Sequence, residues 1–375
     1  MSVSDTPLTE NERLDWLRLS GTSGIGPITF HKLLARYKTI ERALEALPEL
    51  QKKGGGKAHS KIMSREAAAK EFHALEKRGG KIICACEETY PLVLSAIDDA
   101  PPVLRTVGNI DLLAKPTMGI VGARNASLNG RKLTHKLARD LGEAGQIVAS
   151  GLARGIDTAA HEGSLATGTI AVVAGGVDVI YPKENEGLYA QILEQGGLIL
   201  AENALGTKPT AQHFPRRNRI VSGLSAGIVV VEATVRSGSL ITARLAAEQG
   251  RDVFAVPGFP SDPRASGPNK LLKDGATLVE NAQDILSQIS QFEPKAVPNG
   301  LFEENHGLDW TKASAEPDNS EREKITSLLS HQPVSVDEIV RTCHVNISGV
   351  QTVLLELELA GRLSRLPGNR VSLIE

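Results

Sequence analysis

Between residues 116 and 290 the chain repeats one pattern: a short apolar run, a turn containing glycine, then apolar residues at helical spacing. The apolar runs fall at 118–121, 147–149, 170–174, 198–201, 228–231 and 253–256. Helical stretches fill 130–143, 156–166, 185–194, 217–224 and 240–249. The runs do not alternate apolar with polar residues, so each strand is covered on both faces. Strands separated by helices run parallel. The pattern predicts an α/β fold with a doubly wound parallel sheet of at least five strands. Residues 81–115 are transitional, with one further strand over 81–86 that carries Cys84 and Cys86.

The flanks differ in texture. Over 10–80, Leu14, Leu17 and Leu19 lead into Gly24-Ile25-Gly26, after which Phe30, Leu33 and Leu34 repeat at helical spacing. Helix, Gly-Ile-Gly turn, helix is the helix-hairpin-helix pattern. Its turn amides could meet a phosphate, or the segment could be a small helical domain with a tight turn. Lys52, Lys53, Lys57 and Lys61 surround three glycines in a basic loop, but Gln51 and Ala58 exclude a phosphate-binding P-loop. Residues 291–320 contain three prolines, six acids and two bases, the texture of a linker. From 321 on, three helices are followed by a hairpin around Pro367-Gly368-Asn369, the order of a winged helix. The domain boundaries drawn are thus 1–80, 81–290, 291–320 and 321–375.

Composition narrows the classes. With 42 Lys+Arg against 44 Asp+Glu, the formal net charge is -2, so any polyanion site must be a local patch. Three cysteines fit a reducing, cytoplasmic setting better than a disulfide scaffold. No apolar run approaches the length of a membrane span. From Asn203 to Val231 there is no acid, while Lys208, Arg216, Arg217 and Arg219 are present. Phe214 stands beside these arginines in a chain with 3% aromatic residues.

In an open parallel sheet, ligands bind beyond the carboxyl ends of the strands. Those ends read Gly122-Ala123-Arg124, Ser150-Gly151-Leu152-Ala153-Arg154-Gly155, Gly175-Gly176 with Lys183 downstream, Phe214-Pro215-Arg216-Arg217-Asn218-Arg219, and Glu232 through Ser237-Gly238-Ser239. Glycine amides and guanidinium groups make a polyanion site. An aromatic face beside cations is what unpaired nucleic acid needs; the alternative is a core anchor with surface ion pairs. No Gly-x-Gly-x-x-Gly follows the first strand, and no paired-acid metal motif stands out, so neither a cofactor nor a metal is expected. Asp157 and His161 are four apart and could form an acid–base pair. Asp157 at a turn-to-helix boundary reads as a cap, and Asp178 and Glu232 as structural.

These motifs, with Thr158-Ala159-Ala160-His161, Asp178-Val179-Ile180-Tyr181-Pro182 and Val253-Phe254-Ala255-Val256-Pro257-Gly258, resemble the DNA-processing protein A (DprA/Smf) family over about residues 85–285. The resemblance implies an extended Rossmann-like domain that binds single-stranded DNA, protects incoming DNA in natural transformation, and loads the RecA recombinase. It implies a homodimer without catalytic turnover, flanked by a helix-hairpin-helix (SAM-like) domain and a winged helix. By the same resemblance Arg124 grips phosphate. Gly122, Ser150, Gly151, Gly155, Ser237, Gly238 and Ser239 line the pocket with amides and small groups. Arg154, Lys183, Arg216, Arg217, Asn218 and Arg219 add polar and cationic contacts, and Phe214 stacks a base. A competing class is a nucleotide or nucleotide-sugar hydrolase of the lysine-decarboxylase-like group. Its Pro-Gly-Gly-x-Gly-Thr loop and catalytic Glu are missing at 236–242, although Glu232 stands near. A transcription regulator is disfavoured because residues 321–375 hold seven acids and six bases. That module is expected to bind a protein or regulate access rather than to add DNA affinity.

Overall fold

In this computed structural model the described residues are 8–55, 61–289, 317–366 and 368–374. Most of the expected linker and Lys57 of the basic loop lie outside them.

The chain opens with helices α1 (Glu10–Ser20), α2 (Pro27–Tyr37), α3 (Ile40–Lys53) and α4 (Arg65–Glu76). Strand β1 (Gly80–Cys84), the short α5 (Leu92–Ser95) and β2 (Val103–Gly108) follow. The alternating part runs β3 (Thr117–Val121), α6 (Leu128–Glu143), β4 (Ile147–Ser150), α7 (Ile156–Ser164), β5 (Thr169–Val172), α8 (Glu186–Glu194) and β6 (Leu198–Ala201). It continues through α9 (His213–Leu224), β7 (Gly227–Val230), α10 (Gly238–Glu248), β8 (Asp252–Ala255), α11 (Ser266–Lys273), β9 (Thr277–Leu278) and α12 (Ala282–Ile289). The last segment comprises α13 (Asn319–Ser327), β10 (Val334–Ser335), α14 (Val336–Cys343), α15 (Ile347–Leu359), β11 (Leu363–Leu366) and β12 (Arg370–Leu373).

These elements gather into two compact units: residues 8–69 with those from 317 onward, and residues 70–289. The second unit is one sheet in the order β1-β2-β6-β5-β4-β3-β7-β8-β9. From β6 to β9 every pairing is parallel, whereas β2 pairs antiparallel with β6 and β1 with β2. Two cores flank the sheet, as continuous apolar strands require. Ile147, Ile170, Leu200 and Ile228 pack under α9 and α10, while Met118, Ile120, Val148 and Phe254 pack under α6 and α12. Strand order reverses between β3 and β7, so the crevice of this topology lies there.

The first unit joins the two ends of the chain, which the sequence pattern places in separate domains. Its winged-helix half has its own core, with Ile325, Ile339, Val353, Leu354, Leu357 and Val371. Every residue of α15 from Gly349 to Leu357 is buried, so over that stretch the helix leaves no face to solvent. The polar side of α15 is taken by α2: Thr29 Oγ1 donates to Glu358 at 2.9 Å and Arg36 Nη1 to Thr352 Oγ1 at 2.8 Å. Lys32 lies 3.4 Å from Gln351 Oε1, and burial lowers its pKa to about 8, with the Arg365 guanidinium adding to the effect. Arg322 holds buried Glu356 through two bonds of 2.9 and 3.0 Å. Arg362 donates to the Gly54 carbonyl at 3.0 Å. The third helix of the module expected to bind a protein or regulate access thus packs its polar side on this chain's own N-terminal segment.

Gly54 makes this seam possible, since a Cβ there would stand 2.1 Å from the Glu356 carbonyl and 2.6 Å from Ala360 Cβ. Both neighbours sit on a helix that cannot move aside. Gly54→Val is expected to cost about 1–3 kcal/mol by overpacking and to lower the thermal midpoint of this unit. An unchanged melting profile would mean the seam is not tightly packed.

Candidate functional site

At the β3/β7 crevice lies an open cavity of about 660 Å³, within the range of small-ligand sites. The loop after β3 supplies Gly122, Ala123, Arg124 and Asn125. The first turns of α9 supply Phe214, Arg217 and Asn218; the segment after β7 supplies Thr234, Ser237, Gly238, Ser239 and Thr242. The loop after β8 adds Asp262, Pro263 and Arg264. Arg124 and Arg217 thus reach one cavity from different elements.

Arg217 is the deepest of these groups. It is 7% exposed, and its Nη1 donates to the Val172 carbonyl at 2.6 Å. Room for it exists because residue 151 is glycine: a Cβ there would stand 2.1 Å from a guanidinium nitrogen. Burial lowers its pKa to about 10, opposed by the nearby Asp157 carboxylate, so it stays charged at neutral pH. Its Nε has no acceptor among the described residues. A buried donor without a partner is costly.

The second βα loop supports this arrangement from beneath. Gly151 and Ala153 amides donate to Asp157 Oδ2 at 3.1 and 3.3 Å. Burial raises the Asp157 pKa, with Arg217 and these amides pulling it back. The Leu152 amide donates to His161 Nε2 at 3.3 Å, and His161 Nδ1 donates to Thr169 Oγ1 at 2.8 Å while that hydroxyl bonds the Val148 carbonyl. These partners fix the Nδ1-protonated tautomer, and burial lowers the His161 pKa to about 3. Asn185 Nδ2 holds the Leu152 carbonyl at 2.8 Å. Together they keep Leu152 at φ 54°, a conformation that ordinary residues avoid. Gly155, at φ 79°, passes under the Arg124 loop, where a Cβ would meet the Ala123 carbonyl at 2.3 Å.

Several expected contacts therefore change role. Ser150 is fully buried and donates to the Ile120 carbonyl at 2.6 Å. Ser150, Gly151 and Gly155 shape the loop and do not line the cavity. Arg219 is buried between Asp99 and Glu202, a structural ion triad rather than a ligand contact. Arg154, Lys183 and Arg216 are exposed and stand off the cavity wall; Arg154 faces Glu184 at 3.7 Å. Gly122, Arg124, Phe214, Arg217, Asn218, Ser237, Gly238 and Ser239 do line it.

The aromatic group is a pair. The Arg124 guanidinium lies 5.2 Å from the Phe214 ring centre, a cation–π contact. Tyr181, 48% exposed, stands 5.8 Å from Phe214. The sequence pattern did not single out Tyr181, although it sits in a quoted motif of an aromatic-poor chain. It also missed Arg264 and Asp262, which the rule of strand ends applied to β8 would have found. Arg264 is held by Asp262 at 2.9 and 3.1 Å. Glu232 accepts from the Ser127 amide and hydroxyl at 2.9 and 2.6 Å, anchoring the start of α6.

Three family models match the chain: a DprA-like N-terminal HHH domain over residues 10–74, DNA recombination-mediator protein A over 81–290, and a DprA winged helix domain over 311–369. Protein Smf of Synechocystis is 32% identical over 97% of this chain and 99% of its own. Protein Smf of Escherichia coli is 38% identical over 80% and 79%. The X-ray structure of DNA processing protein A from Streptococcus pneumoniae has 34% identity and a TM-score of 0.59, covering 77% of this chain and 99% of that one. A Helicobacter pylori structure described for its single-stranded DNA binding mode has 31% identity and a TM-score of 0.52, covering 56% and 95%.

His161 generates a pH prediction. Its folded pKa lies below the unfolded value, so its contribution to stability is full above about pH 6.5 and falls away with acidification towards about pH 3. In that window the unfolded state binds the extra proton, at up to about 1.4 kcal/mol per pH unit. Denaturant titrations across it should give a shallower slope for His161→Gln; an identical slope would rule out this contribution.

Proposed function

The chain belongs to the DNA recombination-mediator protein A (DprA/Smf) family, and on that premise we propose that it binds single-stranded DNA during DNA processing. One observation carries the reading: Arg124, Arg217 and Phe214 share one cavity at the switch point of the sheet, with a buried guanidinium Nε unpartnered. Phosphate oxygens answer the guanidinium groups, and bases stack on the Phe214–Tyr181 pair. The two acids of the cavity do not repel this ligand strongly, because Asp157 is buried on backbone amides and Asp262 is tied to Arg264.

The same account extends to a non-catalytic protein. Glu232 is committed to Ser127, and His161 is buried and uncharged. These are the groups a hydrolase on this scaffold would need free. Family membership supports protection of incoming DNA and loading of the RecA recombinase in natural transformation, action as a homodimer, and a cytoplasmic setting. Among the described residues no helix is long and apolar enough to cross a membrane. Lys183 and Arg216, exposed on the same carboxyl rim, are assigned to phosphates beyond the cavity, and Arg154, drawn towards Glu184, to a weaker contact of the same kind.

Fluorescence anisotropy of the full chain with single- and double-stranded oligonucleotides across a salt series tests this. Single strands should bind more tightly, with affinity falling steeply as salt rises. Arg124→Glu should weaken all sequences alike, because phosphate contacts carry no sequence information. Phe214→Ala should cost about 1–3 kcal/mol for each base that can no longer stack and leave the salt slope nearly intact. Preference for duplex, or release of base or phosphate from small nucleotides, would overturn the reading.

A further inference from the structure

Helix α6 carries charge that the cavity does not use. From Leu112 to Arg139 the chain has no acid, yet it holds Lys115, Arg124, Arg131, Lys132, Lys136 and Arg139. Arg131, Lys132, His135, Lys136 and Arg139 are all exposed or half-buried at the surface. At 3.6 residues per turn they share about 140° of the helix circumference. Thr134, Leu137, Ala138 and Leu141 occupy the other side, buried against the sheet and its neighbours. Asp140 and Glu143 neutralise Arg139. Arg131, Lys132 and Lys136 have no acidic partner among the described residues.

This arrangement works against the helix that bears it. Arg131 and Lys132 lie close to the N-terminus of α6, where the helix dipole disfavours cations, and the first turn offers no acid. Lys132 and Lys136 are like-charge neighbours one turn apart. A face needed only for solubility would mix both signs. The stripe also begins at the cavity: Ser127, which caps α6, follows Arg124 by three residues and is fixed by Glu232 on the neighbouring loop.

We propose that this face of α6 is a track for the sugar–phosphate backbone of single-stranded DNA leaving the cavity past Arg124. It rests on the function proposed above and enlarges that site from one cavity to a cavity with an exit path. The occupant follows from continuity with the cavity and from charge. A protein interface needs an apolar centre, and on this face the large exposed apolar group is Leu128 alone, at its head. Cations spaced along a helix with no aromatic or amide side chain between them read phosphate and not sequence.

The test uses the full chain carrying Arg131→Glu, Lys132→Glu and Lys136→Glu together. Glutamates near a helix N-terminus are favourable, so circular dichroism and thermal melting should match the parent. The triple glutamine variant, which only removes charge, serves as the second form. Anisotropy is measured with an oligonucleotide just long enough to fill the cavity and with one several times longer. The long strand should bind about ten-fold or more weakly, and its log–log salt slope should fall by about 2, at about 0.7 for each phosphate of a single strand that is no longer neutralised. The short strand should bind both variants as it binds the parent. Unchanged binding of the long strand would overturn the track and leave α6 a solvated face. Equal weakening with both strands, or weakening confined to duplex, would overturn it as well. Failure of the parent to bind either strand would instead reject the function of the cavity itself.

Discussion

A charged guanidinium buried among strand ends is the constraint around which the crevice is organised. Arg217 leaves water almost completely, and an uncompensated buried charge is expensive. The molecule meets that cost in parts. The Val172 carbonyl takes one donor, Asp157 supplies opposite charge nearby, and Gly151 gives up its side chain to make room. Burial raises the pKa of Asp157 in turn, and Arg217 with the Gly151 and Ala153 amides opposes that rise. Those amides are available only because the loop turns through Leu152 in a left-handed conformation, held by His161 and Asn185. Each of these residues is placed by the next, and what remains unsatisfied is the buried Arg217 Nε.

Much of the sheet was readable from the chain, and the reason is physical. A strand buried on both faces has to be apolar throughout, so its position survives without knowledge of its neighbours. The rim was readable for the same reason, since parallel order puts every strand's carboxyl end on one edge. The β1–β2 edge was not, because an antiparallel pair at the margin carries no βαβ signature, and β9 is two residues long. Within the site, residue type and position predicted Arg124, Phe214 and Arg217 but not the difference between Arg217 and Arg219. The two lie two residues apart on α9, and their fates are decided by Asp99 and Glu202, distant in sequence. Ser150, Gly151 and Gly155 misled in an instructive way. Small residues at a strand end permit close approach, but here the approaching group is protein: an arginine under Gly151 and a neighbouring backbone over Gly155.

The terminal segments show the same limit at a larger scale. Helix α15 reads as the third helix of a winged helix, and its mixture of Gln351, Thr352, Glu356 and Glu358 suggested something other than duplex DNA. Which partner it met could not be read locally, because Thr29, Lys32 and Arg36 lie some three hundred residues earlier. Once α2 and α3 are in place, the stretch of the helix from Gly349 to Leu357 has no free surface with which to enter a groove.

It follows that an almost neutral chain handles a polyanion by segregating its charges. In the terminal unit Glu356 is held by Arg322 and Glu358 by Arg365 and Thr29. Around the crevice the acids are bonded within the protein: Asp157 to loop amides, Glu232 to Ser127 at the start of α6, Glu202 to Arg219. Arg124, Arg217 and Arg264 meet at one cavity, where each phosphate bound would displace counterions and the gain would scale with the number of contacts. Net charge is therefore a poor guide to this protein. The local balance after internal pairing is the better guide to where a polyanion can bind.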